Sequence, residues 1–214
     1  MSVQVELTNR DEAILQALTN RVRVLSIGQV ARTFWDGSVH PGTAAKRRLA
    51  RLEDAGLIEP MMLMAHPELL LSDPVVRWRP GDASPDLGQA SYRLKARWTK
   101  SPIPTAVVVA SERGGNAAGG IGGRRPRTSE GTHDLHVASV YLRLLRDSPS
   151  RARYWVSEGA LARPMRGCGN KLPDALIASP SERTVVEFGG AYPKRKLEGF
   201  HAFWAKEQMA YEIW

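Results

Sequence analysis

Apolar positions in the first sixty residues recur at helical spacing. Ala13, Ile14, Ala17 and Leu18 form an i, i+1, i+4, i+5 stripe behind Thr8, and the pattern predicts a helix from about Asn9 to Thr19. Thr8 can cap it, and Asp11, three residues on, is a short stand-in for the Glu or Gln of a capping box that still suits the helix dipole. Ser26 caps a second helix whose Ile27, Val30 and Ala31 face one way, and turn chemistry from Asp36 to Gly42 ends it. A third helix starts at Thr43, runs through AAKRRLARLEDA and stops at Gly56. Leu57 to Leu63 then read as a strand, with later strands expected at Val75 to Arg79 and Ala90 to Trp98 and loops between them.

From 101 to about 131 the pattern dissolves into Gly114, Gly115, Gly119, Gly120, Gly122 and Gly123 followed by Arg124, Arg125, Pro126 and Arg127. Such a segment has little to bury and reads as a flexible linker, with Val107 to Val109 as a last short strand before it. Helical periodicity returns from His133 to Arg146. Strands follow at Tyr154 to Ser157, Leu172 to Ala178 and Thr184 to Phe188, then a helix over Lys196 to Met209. The expectation is an α+β chain with a winged helix-turn-helix in residues 1–100, a Gly/Arg-rich linker in 101–131 and an α/β domain in 132–214.

Charge narrows the partner. The 214 residues carry 30 Lys plus Arg against 22 Asp plus Glu, a formal charge of +8, which favours an anionic partner. One cysteine, Cys168, excludes an intramolecular disulfide and a cysteine-cluster metal site. MSVQVELTNRDEAIL has no secretory pattern, and no apolar run approaches the roughly 18 residues of a membrane span. These features lead us to expect a cytoplasmic protein with no membrane partner.

On the third helix, Ala45, Leu49 and Leu52 fall on one stripe, the i, i+4, i+7 pattern of a core face. Thr43, Arg47, Ala50 and Arg51 lie opposite, with Lys46 at the margin, so long cations flank small residues as a groove-reading surface requires. Arg48 projects nearer the core margin and is expected to snorkel or pair with an acid rather than read a base. The competing reading is a solvated face neutralised by Glu53 and Asp54. A basic third helix preceded by two shorter ones and followed by a strand resembles, through AAKRRLARLEDAGLIEP, the winged-helix DNA-binding domain of bacterial regulators. The alternating Arg77, Arg79, Arg93 and Lys95 would then line the wing, or else serve only as exposed strand charges.

In the second half, a hairpin turn between Pro180 and Ser181 sets Ala178 opposite Arg183, Leu176 opposite Val185 and Asp174 opposite Glu187. Two acids side by side need a cation, a proton or a lysine to compensate them. LPDALIA and TVVEFGG resemble the PD-(D/E)xK nuclease core, which implies Mg²⁺ held by Asp174 and Glu187 and a lysine two residues after the second acid. That place is taken by Gly189. Lys171, Lys194 and Lys196 are alternative sources of the charge, and Glu158 of a further carboxylate.

Taken together, the N-terminal pattern, THDLHVASVYLRLL, PDALI, VVEFGG and the basic aromatic helix after them resemble the replication-relaxation family of plasmid and mobile-element proteins. The resemblance implies an accessory protein that binds double-stranded DNA without a cofactor and regulates replication or transfer. A homodimer would suit paired half-sites. The alternatives are a Mg²⁺-dependent endonuclease using Asp174 and Glu187, and an adaptor whose basic surface meets an acidic protein. The glycine run lacks the Gly-Lys-Ser/Thr of a phosphate loop. His133, His136 and His201 read as packing residues, Cys168 as no catalytic thiol, and Tyr192 with Lys194 to Lys196 as either a phosphate grip or a solvated helix start.

Overall fold

The structure is a computed structural model that describes residues 5–162 and 172–214. Lys171 and Cys168 lie outside the described residues. In chain order the elements are α1 (Asn9–Gln16) with a π-helical turn at Ala17–Arg21, β1 (Leu25–Ser26), α2 (Ile27–Phe34), α3 (Pro41–Asp54), β2 (Ile58–Ala65), β3 (Val76–Trp78) and α4 (Leu87–Ala96). Then come β4 (Ile103–Ala110), α5 (Glu112–Ala117), a 3-10 turn at Thr128–Glu130, α6 (Gly131–Asp147), α7 (Pro149–Arg153), β5 (Trp155–Ser157), α8 (Glu158–Leu161), β6 (Ala175–Ala178), β7 (Arg183–Glu187), α9 (Lys194–Lys206) and β8 (Ala210–Ile213). The fold is α+β.

Two compact units interleave along the chain. The first comprises Met1–Ala65 and Pro102–Leu142, and the second His66–Ser101 and Arg143–Trp214. In the first, β4 lies between β1 and β2, antiparallel to both, with Ile58 opposite Ala110 and Ala65 opposite Ile103. Val24, Leu63, Ala65, Val107, Val109 and Leu135 of α6 form a core there. Both early caps form as the sequence predicts. Thr8 accepts from Asp11 N–H while Asp11 accepts from Thr8 N–H at 2.8 Å, and Ser26 and Gln29 make the same reciprocal pair.

Residues 101–131 are not a linker. β4 is a full partner of β2, and Gly114, Gly115, Gly120 and Gly122 after it are close-approach positions. A Cβ on Gly114 would stand 1.9 Å from the Leu57 carbonyl oxygen, and one on Gly122 1.7 Å from that of Ser111. Ser111 caps α5 by accepting from Gly114 N–H at 2.9 Å and donates to the Gly56 carbonyl at 2.6 Å. We therefore expect Gly114→Ala to cost at least about 2 kcal/mol, read as a lowered urea midpoint, because backbone must move to admit the methyl. A flexible linker would leave the midpoint unchanged.

The residues expected to complete the wing, His66 to Ser101, belong instead to the second unit. Val76–Trp78 pairs with β8, and the stretch read as a strand at Ala90 to Trp98 is largely α4. Asp86 caps α4, and Leu87, Ala90, Ser91 and Leu94 form its buried i, i+3, i+4, i+7 stripe. That stripe outweighs the alternation of Arg93 and Lys95 that suggests a strand. The second sheet has the order β3-β8-β7-β6-β5, with β7 and β8 parallel and the other neighbours antiparallel. Trp78, Leu94, Leu197, Trp204, Tyr211 and Ile213 are among its core residues. The boundary between units falls inside α6, not ahead of it.

Candidate nucleic-acid interface

Pro41 occupies the first turn of α3, where its missing N–H costs nothing and its fixed φ favours the helix. Ala45, Leu49 and Leu52 are its buried residues, the stripe the sequence predicts. Thr43, Lys46, Arg47, Ala50 and Arg51 are exposed. Among the described residues, no ion pair engages Lys46, Arg47 or Arg51. Glu53 and Asp54 sit exposed at the C-terminal end of the helix, so the N-terminal two-thirds is the part of α3 that suits an anion.

Arg48 behaves differently from its neighbours. Its Nε donates to Asp11 Oδ1 at 2.9 Å, its Nη2 donates to Asp11 Oδ2, and Nη2 also reaches the Glu6 carbonyl at 2.7 Å. Asp11 is fully buried. Burial alone pushes its carboxyl up, but hydrogen bonds from Arg48 and Thr8 outweigh burial and hold it below its ordinary range. The fork ties α1 to α3 and removes one arginine from the exposed face.

The other four basic residues expected to touch DNA belong to the second unit, so they are not a wing of the unit that carries α3. Arg77 lies on β3, where its Nε donates to the buried Glu212 at 3.3 Å, and Arg79 follows at the end of that strand. Arg93 and Lys95 are exposed on α4. Arg124 and Arg125, which composition marks as loose cations, are held by the first unit: Arg124 donates to the Thr19 carbonyl at 3.1 Å and Arg125 to Glu59 at 3.0 Å.

In the second unit the hairpin register is the one the sequence predicts, with Ala178 opposite Arg183 and Leu176 opposite Val185. Asp174 and Glu187 follow one step beyond the last pair, Ala175 and Val186. Asp174 Oδ2 accepts the Phe188 N–H at 2.6 Å, and Glu187 Oε1 accepts the Tyr192 hydroxyl at 2.7 Å. Burial, then the negative charge of Glu187 and its hydrogen bond, and finally Asp174, push the Tyr192 phenol far above its usual range. It therefore stays a donor. Lys196 sits over the Tyr192 ring, 3.0 Å from its centroid, and lines with Glu187, Leu172, Phe200, Phe203 and Trp204 a cavity of about 240 Å³.

Asp174 and Glu187 are adjacent carboxylates in the hairpin, and the donors around them define what they can hold. One oxygen of each carboxylate accepts from the chain's own donors, and among the described residues no group of three or more His, Cys, Asp or Glu could hold a metal ion. At Gly189, a Cβ would meet Ile213 at 2.7 Å and Leu94 at 3.0 Å, so no lysine enters from that position without repacking. His136 is buried with Nδ1 2.6 Å from the Thr132 carbonyl oxygen, a local contact on α6. His201 packs edge-on against Trp78.

Sequence reasoning misses Arg10, whose guanidinium carbon lies 4.7 Å from the Trp35 ring centroid. No pattern in the chain links residue 10 to α3; only the packing of α1 does. Among the described residues no helix is long and apolar enough to cross a membrane. The chain matches no family model, no curated protein and no solved structure.

Proposed function

We propose that the chain is a cytoplasmic DNA-binding accessory protein that regulates replication or transfer of a plasmid or mobile element, and that its first unit docks α3 in the major groove. One observation carries the reading: Thr43, Lys46, Arg47, Ala50 and Arg51 are exposed together, while Ala45, Leu49 and Leu52 are buried and Arg48 is turned onto Asp11. Cations flanking small residues let backbone phosphates and base edges be reached at once. The three-stranded sheet behind the three helices, with β4 between β1 and β2, supports a winged arrangement, although its wing connection is expanded into part of the second unit. The resemblance to the replication-relaxation family supports the biological role.

DNA binding in this reading requires no cofactor. The engaged carboxylates of Asp174 and Glu187 and the packed Gly189 favour a binding or structural role for the second unit over Mg²⁺-dependent cleavage. The test is a titration of labelled duplex DNA by the full chain over a range of KCl, with parallel incubation of plasmid and Mg²⁺ or Mn²⁺. Binding should weaken steeply as salt rises, by a log–log slope of about 0.9 for each phosphate neutralised, with the plasmid intact. Absence of binding at low salt would remove the proposal in favour of an adaptor, and cleavage abolished by Asp174→Ala would replace it with the endonuclease.

A further inference from the structure

The polar side of α3 is two surfaces. Ala44, Arg47, Arg48 and Arg51 follow the i, i+3, i+4, i+7 rule and form one ridge, and Thr43, Lys46 and Ala50 lie on the other side of Arg47. The ridge turns toward the start of α1. There Thr8, Arg10, Trp35, Ala44, Arg47 and Arg51 line a cavity of about 160 Å³, with Arg48 at its wall.

Among the described residues, none of Arg10, Arg47 and Arg51 has an ion-pair partner. Arg48, which does, is consumed by Asp11 and fixes the spacing of the helices that carry the other three. Arg10 places its guanidinium carbon 4.7 Å from the Trp35 ring centroid, a cation–π contact that holds the group beside the cavity it lines. Three arginines without ion-pair partners line one small cavity, and a phosphate group is an anion that accepts bidentate bonds from arginine.

We propose that this cavity holds a backbone phosphate of bound duplex DNA, clasped by Arg10, Arg47 and Arg51 at the edge of the groove that Thr43, Lys46 and Ala50 face. The proposal rests on the reading of α3 as the groove-facing helix, and it gives Arg47 and Arg51 the phosphate rather than the base edges. Duplex DNA is the favoured source of the phosphate. The cations stand on exposed helix faces, and a phosphate tethered to DNA already docked on α3 is presented at a high effective concentration that a free anion lacks.

The experiment measures anisotropy of labelled duplexes of two unrelated sequences with the full chain and with Arg10→Ala, Arg10→Lys and Arg47→Ala, over a KCl series. Arg10→Ala should weaken both duplexes about equally, by roughly tenfold, and lower the log–log salt slope by about 0.9. Arg10→Lys should restore the slope and only part of the affinity, because it keeps the charge and loses the fork. Thermal melts of the variants should match the parent, since Arg10 is exposed. If Arg10→Ala changes neither affinity nor slope while Arg47→Ala weakens binding, the cavity is not a phosphate site and the groove-facing reading stands. If neither variant weakens binding, that reading falls as well. Inorganic phosphate that displaces DNA beyond KCl of equal ionic strength, and does so only when Arg10 is present, would mean that the cavity takes a free anion and would overturn the assignment to the duplex.

Discussion

Replacing Asp11 with alanine is expected to destabilise the protein by about 3–5 kcal/mol at neutral pH, read by urea denaturation. The substitution leaves the Arg48 guanidinium with only 18% of its side chain exposed and without its bidentate partner. It also removes the acid that closes the capping box on Thr8. The size of the effect is the cost of an uncompensated charge, not the net worth of the pair, so Asp11→Ala with Arg48→Met should recover much of the loss. The dependence on pH has a defined sign. The folded carboxyl is held below its unfolded value of 3.8, so its ionised form stabilises the protein in full above that value, and the contribution disappears as pH falls through the lower folded value. The gap between parent and variant should therefore narrow below about pH 4. A loss under about 1 kcal/mol at pH 7 would show that the bridge is no more than an ordinary surface pair.

The second large effect concerns binding. The double variant Arg47→Ala, Arg51→Ala should lower affinity for duplex DNA by about a hundredfold at moderate salt and reduce the log–log slope by about 2, since two exposed cations are removed from the proposed interface. Its folding stability should stay within about 0.5 kcal/mol of the parent, because both side chains are exposed and lack ion-pair partners among the described residues. Arg48→Ala reverses this pattern, lowering stability while leaving the salt slope nearly unchanged. Three arginines within five residues thus divide into two tasks. If Arg48→Ala lowered the slope as much as the double variant, the division would fail.

The division is partly legible in the order of residues alone. Helical periodicity sets Ala45, Leu49 and Leu52 inward and Arg47 and Arg51 outward, and the intermediate angle of Arg48 leaves it to snorkel or to pair with an acid. That it pairs, and with which acid, is not legible, because Asp11 is 37 residues away and reads locally as a helix cap, a role it also fills. The hairpin of β6 and β7 is legible down to its register, since a tight turn and a period of two leave few alternatives. α4 reads wrongly as a strand because Arg93 and Lys95 alternate over a few residues, and the helical stripe Leu87, Ala90, Leu94 decides only once a core is there to bury it.

What the sequence by itself determined is local: the caps at Thr8 and Ser26, the two faces of α3 and the pairing of the acid-bearing hairpin, each governed by neighbours within one or two turns of chain. Only the tertiary structure decided that most glycines of 114–123 serve close approach, that His66 to Ser101 leaves the first unit to join the second, and that Arg10 lines a cavity with α3. The physical reason is common to all three. A glycine looks the same whether it supplies flexibility or lets two backbones touch, and a cation looks the same whether it faces water, an acid or an anion site. The difference lies in groups brought close by folding, which composition and periodicity do not encode.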